Sequence, residues 1–407
     1  MESKMKTILI HVVSSEEINF YRRFNSAFYE LNYSIIYTTT SLYCYFILRK
    51  ARANVKLVYI DKDVSFNENE SSKSFFNFLV GWSSNNQAFD SYLSSYNCAV
   101  KILKEKDVYA CFIPSGRLAS QEGVLKACKD YNVATIFSGY GNFPGKTFFD
   151  KLGTDKNSSL FKDKSFLNDL EYDDIYFNEW KQDFIKSKLE FHNVPQVRRV
   201  NLNLYASRFF RILFCKVEKK INVAIDIDRK WGSLLEFKKF DYKKIETNID
   251  DLPKEFIFMP LQYTKDAQLI LNYDKDLISS INDALSICRE KNITLVIKPH
   301  PVENSIDAFD KIQEIVNEND DLMLCNSNTF RLIELSSEVI TVNSTAGLES
   351  MLMQKNVTFL GDSFYSDMTK NEMGSYLMAF LIDIDYFDCS QISKETVLNI
   401  FSICKVD

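Results

Sequence analysis

The chain has 407 residues, of which 46% are hydrophobic and 26% are charged, with a formal net charge of −6. A length of this order predicts two or three domains, and 33 Phe with 21 Tyr exclude a disordered protein. Because 49 Lys and Arg stand against 55 Asp and Glu, the chain has no cationic excess for bulk binding to nucleic acid.

Cysteine, histidine and hydropathy patterns indicate the cellular compartment and argue against one class of metal site. Nine scattered cysteines without a CxxC pair predict a reducing compartment, and three histidines argue against a His-rich metal site. The apolar run at residues 7–13 is short, no cleavage site follows it, and the sequence has no run of 18 apolar residues. We therefore expect a cytoplasmic protein, at most peripheral on the inner face of the cell membrane.

The first 140 residues alternate between strand and helix patterns. Apolar, β-branched runs predict strands at residues 7–13, 34–38, 55–60, 108–113 and 133–137. Ser14 and Glu17 have the spacing of a capping box, so we expect a helix after the first strand. Such alternation predicts a parallel sheet with helices on both faces.

The middle of the chain differs from its two ends. Residues 161–252 mix charged and aromatic residues without a period of two, which predicts a helical connecting segment. Alternation then resumes, with strands expected at residues 255–260, 293–298, 322–325, 339–342 and 357–360. We therefore predict an α/β fold with two Rossmann-like doubly wound domains, at residues 1–160 and 253–407. Ligands of such sheets bind beyond the carboxyl ends of the strands.

The strand at 293–298 ends in Lys298, Pro299, His300 and Pro301. Two prolines hold this backbone extended. A lysine supplies a point charge and an imidazole supplies a hydrogen-bond donor or general acid, a combination that suits a phosphate. The alternative is a proline-terminated strand whose histidine has only structural partners.

A polar, small-residue run follows the strand at 339–342 and opens a helix: Asn343, Ser344, Thr345, Ala346 and Gly347. Hydroxyls and N–H groups at a helix N-terminus suit an anion. Glu349, one turn later, can accept hydrogen bonds from a ribose. The alternative is an ordinary N-cap.

These two loops, with Pro260, Leu261 and Gln262, resemble those of the bacterial capsule-synthesis family of β-Kdo transferases. That family shares a His-Pro motif and a Ser/Thr motif with bacterial sialyl- and polysialyltransferases that use CMP-sugars. The resemblance covers about residues 255–362 and, more weakly, 108–160. It implies a GT-B fold, with two Rossmann-like domains facing a cleft. Residues 1–160 would then bind the acceptor and 253–407 the nucleotide-sugar donor.

The resemblance also implies an activity and a set of roles. The protein would be a glycosyltransferase of capsular or surface polysaccharide biosynthesis, transferring Kdo or a related acid sugar from a CMP donor to a glycan or lipid-linked acceptor. His300 would be catalytic, and the donor-binding residues would be Lys298, Pro301, Gln262, Asn343, Ser344, Thr345, Gly347 and Glu349. No cofactor besides the nucleotide-sugar substrate and no metal site are expected. A capsule assembly or export complex is the expected partner.

One position departs from the family pattern. The family has an acidic residue just before a glycine at the end of a strand in the N-terminal domain, where this chain has Ser138 before Gly139. We select Asp150 as the replacement carboxylate, with Glu122 as the other candidate. Different chemistry or an inactive N-terminal domain stays open. On the acceptor side we expect Arg117, Asn142 and Lys146, although Arg117 also fits a plain surface turn.

Other classes of protein fit less well. The run from Gly139 to Thr147 ends like a P-loop, but Tyr140 stands where a Walker A motif needs glycine, and no GxGxxG follows the first strand. Two alternatives stay open: a CDP-glycerol glycerophosphotransferase, whose family has a similar Lys-Pro-His-Pro strand end, and a non-catalytic subunit of a capsule-assembly complex. The basic, aromatic stretch at 198–220 predicts either contact with an anionic membrane or a connecting helix packed on the core.

Overall fold

The computed structural model describes residues 5–61, 75–190, 202–228, 245, 247–301, 303 and 305–406, without the side chains of 202–208. The chain divides into two compact units. Unit 1 comprises Met1–Leu167, Leu202–Leu234 and Ala379–Asp407, and unit 2 comprises Asn168–Asn201 and Leu235–Met378. This partition differs from the predicted one, because both units draw on residues 161–252 and the C-terminal residues lie in unit 1.

Unit 1 is built on a mainly parallel sheet. Numbered along the whole chain, its strands are β1 (Lys6–His11), β2 (Tyr33–Thr39), β3 (Val55–Leu57), β4 (Val108–Pro114), β5 (Ala134–Tyr140), β6 (Lys146–Asp150) and β12 (Ile382–Asp383). Within the described residues the order is β12-β6-β5-β4-β1-β2-β3. The five strands from β5 to β3 are parallel, whereas β6 and β12 add an antiparallel edge that the sequence did not predict.

The described helices of unit 1 are α1 (Ser15–Arg22), α2 (Asn25–Glu30), α3 (Leu42–Lys50), α4 (Phe76–Leu79), α5 (Asn85–Glu105), α6 (Ala119–Asp130), α7 (Ser159–Lys162), α9 (Leu202–Lys220) and α16 (Lys394–Ile403). The predicted capping box of α1 is confirmed, since Ser14 and Glu17 each accept a backbone N–H of the other. The core under α1 and α2 is aromatic, and Phe20, Phe24 and Phe28 are fully buried. Val397, Ile400 and Phe401 of α16 join the same core, which explains why the C-terminal residues belong to this unit.

Unit 2 has a wholly parallel sheet. Its strands are β7 (Phe256–Pro260), β8 (Thr294–Lys298), β9 (Leu322–Leu324), β10 (Glu338–Thr341) and β11 (Asn356–Phe359). The order within the described residues is β11-β10-β7-β8-β9. The described helices are α8 (Asp174–Glu190), α10 (Ala267–Asn272), α11 (Leu277–Lys291), α12 (Ile306–Glu318), α13 (Thr329–Leu335), α14 (Thr345–Leu352) and α15 (Lys370–Ser375).

Both faces of this sheet are buried. Along β7, Phe256 and Phe258 join one apolar cluster while Ile257 and Met259 join another, as the period of two in a strand requires. The predicted α/β class with doubly wound parallel sheets is thereby confirmed for each unit taken by itself. In the part of the chain that the structure describes, no helix combines the length and the apolar character needed to span a membrane.

Candidate functional site

Three neighbouring strands of unit 2 bring the predicted donor loops to one edge of the sheet. β7 pairs with β10 on one side and with β8 on the other, so the loops after these strands are adjacent. Gln262 Nε2 donates to Asn343 Oδ1 at 3.0 Å, and Asn343 N donates to Gln262 Oε1 at 3.3 Å. Both side chains are buried. This reciprocal pair therefore joins the loops after β7 and β10 and fixes the floor of the candidate site.

Lys298, the last residue of β8, provides a cation at this edge. Its Nζ donates to Thr329 Oγ1 at 2.9 Å, at the start of α13. Burial lowers the pKa of Lys298 to about 8, with Cys325 acting in the opposite direction. The ammonium therefore stays mainly protonated at pH 7, and an anion placed against it would regain part of the lost solvation.

His300 lies in the loop after β8, half-buried, with its ring centroid 6.4 Å from that of Tyr263. Burial lowers the pKa of His300, Lys298 lowers it further, and Asp266 and Glu303 raise it. Without a ligand the ring is therefore mainly neutral at pH 7. A phosphate dianion beside it would favour the protonated ring, which is the form that can donate a proton.

A buried carboxylate holds this loop in place. Glu303 Oε2 accepts hydrogen bonds from Thr264 N at 2.9 Å and Thr264 Oγ1 at 2.7 Å, while Oε1 accepts from Ser305 N at 3.0 Å. Glu303 N also donates to the carbonyl oxygen of His300 at 2.9 Å. Glu303 thus ties the loop after β8 to the loop after β7. Apart from an acidic residue three positions after His300, no sequence pattern indicates this role.

The start of α14 contains the predicted Ser/Thr run. Ser344 is the N-cap, and its side chain accepts from Ala346 N at 3.2 Å. A Cβ on Gly347 would lie 2.6 Å from the Phe359 ring and 3.1 Å from Thr341 Cγ2. Gly347 is therefore required for α14 to pack on the sheet, and a direct donor contact for it stays a prediction.

Glu349 lies one turn into α14 and has a partner that the sequence did not reveal. Lys188 Nζ of α8 is 4.0 Å from Glu349 Oε1, and it lies over the rings of Phe184 and Phe330 at 5.3 Å and 5.7 Å. Burial raises the pKa of Glu349 to about 7, and Lys188 lowers it. Since Lys188 falls in the segment predicted to be a connector, only the tertiary structure could bring it to the candidate site.

The predicted acceptor-side residues lie in unit 1, two of them on loops and one in a strand. Arg117, after β4, forms an ion pair with Asp155. Lys146, at the start of β6, is buried and its Nζ lies 2.5 Å from Asp383 Oδ1. Asn142 is exposed in a turn, with a φ of 60°. These contacts give Arg117 and Lys146 structural partners, and their roles toward an acceptor stay predictions.

Asp150, the carboxylate selected for catalysis, is buried at the end of β6. Its Oδ1 accepts from Leu152 N at 2.7 Å and Gly153 N at 3.3 Å, and its Oδ2 accepts from the backbone and the hydroxyl of Ser159. Asp150 therefore organises the loop that follows β6. Its burial and these bonds to its own loop favour that structural role, and its catalytic role stays a prediction.

A further buried carboxylate, which the sequence analysis missed, joins the loops of unit 1. Asp226 accepts from Thr40 Oγ1 at 2.7 Å, Asn77 Nδ2 at 3.0 Å, Ser91 Oγ at 3.1 Å and Ser120 N at 3.1 Å. These donors come from elements far apart in sequence. Asp226 is therefore a hub of the buried polar network beyond the strand ends of this sheet.

The segment that matches a known protein family includes the candidate site in unit 2. Residues 218–369 match the family model described as "Capsule polysaccharide biosynthesis protein". The loops after β7, β8 and β10 all lie inside the matched segment. The resemblance to capsule-synthesis proteins that these loops predicted is thereby confirmed for this part of the chain.

One curated protein and several solved structures are similar to this chain, each over a different fraction of its length. Protein FixF of Sinorhizobium fredii is 31% identical over 121 residues, which are 28% of this chain and 29% of that protein. The chain thus matches less than a third of the length of this curated relative. Among solved structures, Thermosulfurimonas dismutans KpsC, beta Kdo 2,7 transferase, is 13% identical over 98% of this chain and 99% of that one, with a TM-score of 0.45. The beta Kdo 2,4 transferase of the same KpsC is 12% identical over 72% and 88%, with a TM-score of 0.37.

Proposed function

We propose that the protein is a glycosyltransferase of capsular or surface polysaccharide biosynthesis. Its donor would be a CMP-activated acid sugar such as CMP-Kdo, and its acceptor a glycan or a lipid-linked glycan. The observation that carries the proposal is the placement of Lys298 and His300 at the end of β8, inside the segment that matches the capsule-synthesis family. Two strands away in the same sheet, α14 begins with Ser344 as its N-cap.

The chemistry of these side chains suits a departing phosphate. Transfer from a CMP-sugar breaks the bond between the sugar and the phosphate and leaves the electron pair on the phosphate oxygen. A lysine cation, an imidazole and the N-terminus of α14 would each stabilise that charge. Glu349 would accept hydrogen bonds from the ribose of the nucleotide. No cofactor besides the nucleotide-sugar and no metal ion enters this proposal.

Calorimetric titration with CMP, CDP, UDP and ADP, without added metal, tests the donor class. We expect CMP to bind best, and Lys298→Met to weaken CMP binding at least about tenfold, because the variant loses a cation at the phosphate. Lys275→Met is the matched control, since Lys275 is an exposed lysine of the same unit that pairs with Asp283. Its affinity should equal that of the wild type.

The alternatives give different titration results. Preference for CDP would favour a CDP-glycerol glycerophosphotransferase, for which the Lys-Pro-His-Pro strand end is also suitable. Binding of CMP without any turnover would favour a non-catalytic subunit of a capsule-assembly complex. A protein that binds none of the four nucleotides would contradict the proposal.

Membrane contact through residues 198–220 stays a prediction. Arg198 and Arg199 lie outside the described residues, as do the side chains of 202–208. Farther along α9, Ile212 and Cys215 are buried, whereas Phe210 is 51% exposed and Val217 43% exposed. α9 therefore has a face packed on unit 1 and also an apolar outward face. That outward face supports a location on the inner surface of the membrane.

A further inference from the structure

Two opposite charges of unit 2 face each other without forming a hydrogen bond. Lys188, near the end of α8, has its Nζ 4.0 Å from Oε1 of Glu349 on α14, which is longer than a hydrogen bond. The Glu349 side chain is only 14% exposed. In the part of the chain that the structure describes, no group donates to its carboxylate and none accepts from the Lys188 ammonium. Buried polar groups usually have such partners, so the pair favours a ligand that supplies them.

The cation of this pair is held in place by α8 and α13. Trp180, Phe184 and Lys188 are spaced by four residues and so lie on one side of α8. The Trp180 and Phe184 rings stack at 5.2 Å, and Lys188 Nζ lies over the rings of Phe184 and Phe330. Asn328 Nδ2 donates to the carbonyl oxygen of Lys188 at 2.9 Å. Because these contacts already order the lysine, a ligand would lose little affinity in fixing it.

The pair lies on the two helices that begin at the candidate phosphate site. Lys298 Nζ accepts its place there by donating to Thr329 Oγ1 at the start of α13, and the residue after Thr329 is one of the rings beneath Lys188. Glu349 is on α14, whose N-cap is Ser344. A nucleotide joins its phosphate to its ribose through a single CH₂ group. We therefore place the ribose of a bound nucleotide beside Glu349 and Lys188.

The chemistry of a hydroxyl matches the space between these two charges. A hydroxyl both donates and accepts, so it can donate to the carboxylate and accept from the ammonium. The vicinal hydroxyls of a ribose offer two such groups, and hydrogen bonds to charged groups are the stronger ones. A nucleotide without these hydroxyls would exclude water from both charges and leave them unpaired, which disfavours its binding.

We propose that Lys188 determines donor specificity together with Glu349: the pair binds the vicinal hydroxyls of a ribose, and nucleotides that lack both hydroxyls are rejected. This inference rests on the proposed nucleotide-sugar function and deepens it, since that function assigns the ribose to Glu349 alone. Lys188 adds a cationic contact from outside residues 218–369, the segment that matches the capsule-synthesis family.

The preference for ribose should depend on pH. Burial raises the pKa of Glu349 to about 7, and Lys188, the charged group that faces it, lowers it. The ionised carboxylate is the stronger acceptor, so the preference should fall as the pH drops below about 7. Removing the Lys188 cation leaves the effect of burial unopposed and raises the pKa of Glu349 further. In Lys188→Met the preference should therefore fall at a higher pH than in the wild type.

The test is calorimetric titration of the protein with CMP and with 2′,3′-dideoxy-CMP at several pH values. Both nucleotides have the same phosphate, so the ratio of their affinities cancels the contributions of Lys298 and His300. We expect the wild type to bind CMP about 100-fold more tightly, because each hydrogen bond to a charged group contributes roughly tenfold. Lys188→Met should lower this preference to about tenfold or less and leave the affinity for the dideoxynucleotide unchanged.

Two further variants separate the cation from the packing of α8. Lys188→Arg keeps a positive charge and should retain most of the preference. Lys186→Met is the matched control, because Lys186 is an exposed lysine of the same helix, and this variant should behave like the wild type. Binding of the dideoxynucleotide also shows that each variant is folded.

Three results would overturn the inference. Lys188→Met could keep the wild-type preference and its pH dependence, or it could weaken both nucleotides equally, which is the result of a purely structural role. A wild type that binds CMP and the dideoxynucleotide equally would exclude the ribose site and leave the proposed donor class intact. A wild type that binds neither nucleotide would overturn the proposed function and this inference together.

Discussion

Replacing His300 by alanine is expected to lower the kcat of sugar transfer about 100-fold or more. The imidazole would stabilise and protonate the departing phosphate, and a general acid contributes roughly 10²–10⁴ to a rate. Burial keeps the pKa of His300 low in the free protein, so we infer that the donor phosphate itself brings the ring to its protonated form. Steady-state kinetics with CMP-Kdo at several pH values measure the effect.

His300→Asn separates binding from proton transfer. Asparagine can donate a hydrogen bond to the phosphate but cannot release a proton to it. We expect this variant to regain most of the CMP affinity that His300→Ala loses, while its kcat stays low. The circular dichroism spectra of both variants should match that of the wild type, because His300 lies in a loop. An unchanged kcat in His300→Ala would exclude this loop from the chemistry.

Replacing Asp226 by alanine is expected to lower the free energy of unfolding of unit 1 by about 3–5 kcal/mol. The buried donors of Thr40, Asn77, Ser91 and Ser120 would lose their common acceptor, and an unsatisfied buried donor costs about 1–3 kcal/mol. Urea unfolding followed by circular dichroism, with tryptophan fluorescence as a second probe, measures the loss.

Asp130→Ala is the control for this stability measurement. Asp130 accepts hydrogen bonds from Lys126 and Tyr96 on the exposed side of α6. Exposed ion pairs contribute about 1 kcal/mol or less, so the midpoint should shift little. If Asp226→Ala unfolded at the same urea concentration as Asp130→Ala, the buried network would not carry the stability assigned to it.

Local patterns made most strands and the donor loops predictable. The apolar runs that predicted β1, β4 and β8 depend on burial on both faces, which is visible in a short stretch of sequence. The capping box of α1 depends on two residues three positions apart. Lys298 and His300 were found because polar residues that follow a buried parallel strand must lie at the ligand-binding edge of the sheet.

Pairings between distant segments could not be predicted. The sequence does not predict β12, because this two-residue strand pairs only with β6, and Ile382 lies more than 200 residues from its partner Thr147. Lys188 reaches Glu349 in the same way, from a helix that looked like a connector. In each case the sequence contains the residues but no local signal for the contact.

The environments of the buried carboxylates could not be predicted from the sequence either. The spacing of Ser14 and Glu17 predicted a helix cap, and that prediction is confirmed. The burial of Glu17 and its proximity to Tyr386 arise from tertiary packing, so the sequence could not mark it as titrating near neutral pH. Asp150 was selected for its place in the sequence, whereas the folded loop surrounds it with donors from Leu152 to Ser159.

A crystal structure of the protein with CMP would test the proposed donor site directly. We expect the phosphate to lie within hydrogen-bond distance, about 3 Å, of Lys298 Nζ and a ring nitrogen of His300, with the ribose at Glu349. A phosphate bound away from the loop after β8, with Lys298 and His300 making no contact to the nucleotide, would contradict it.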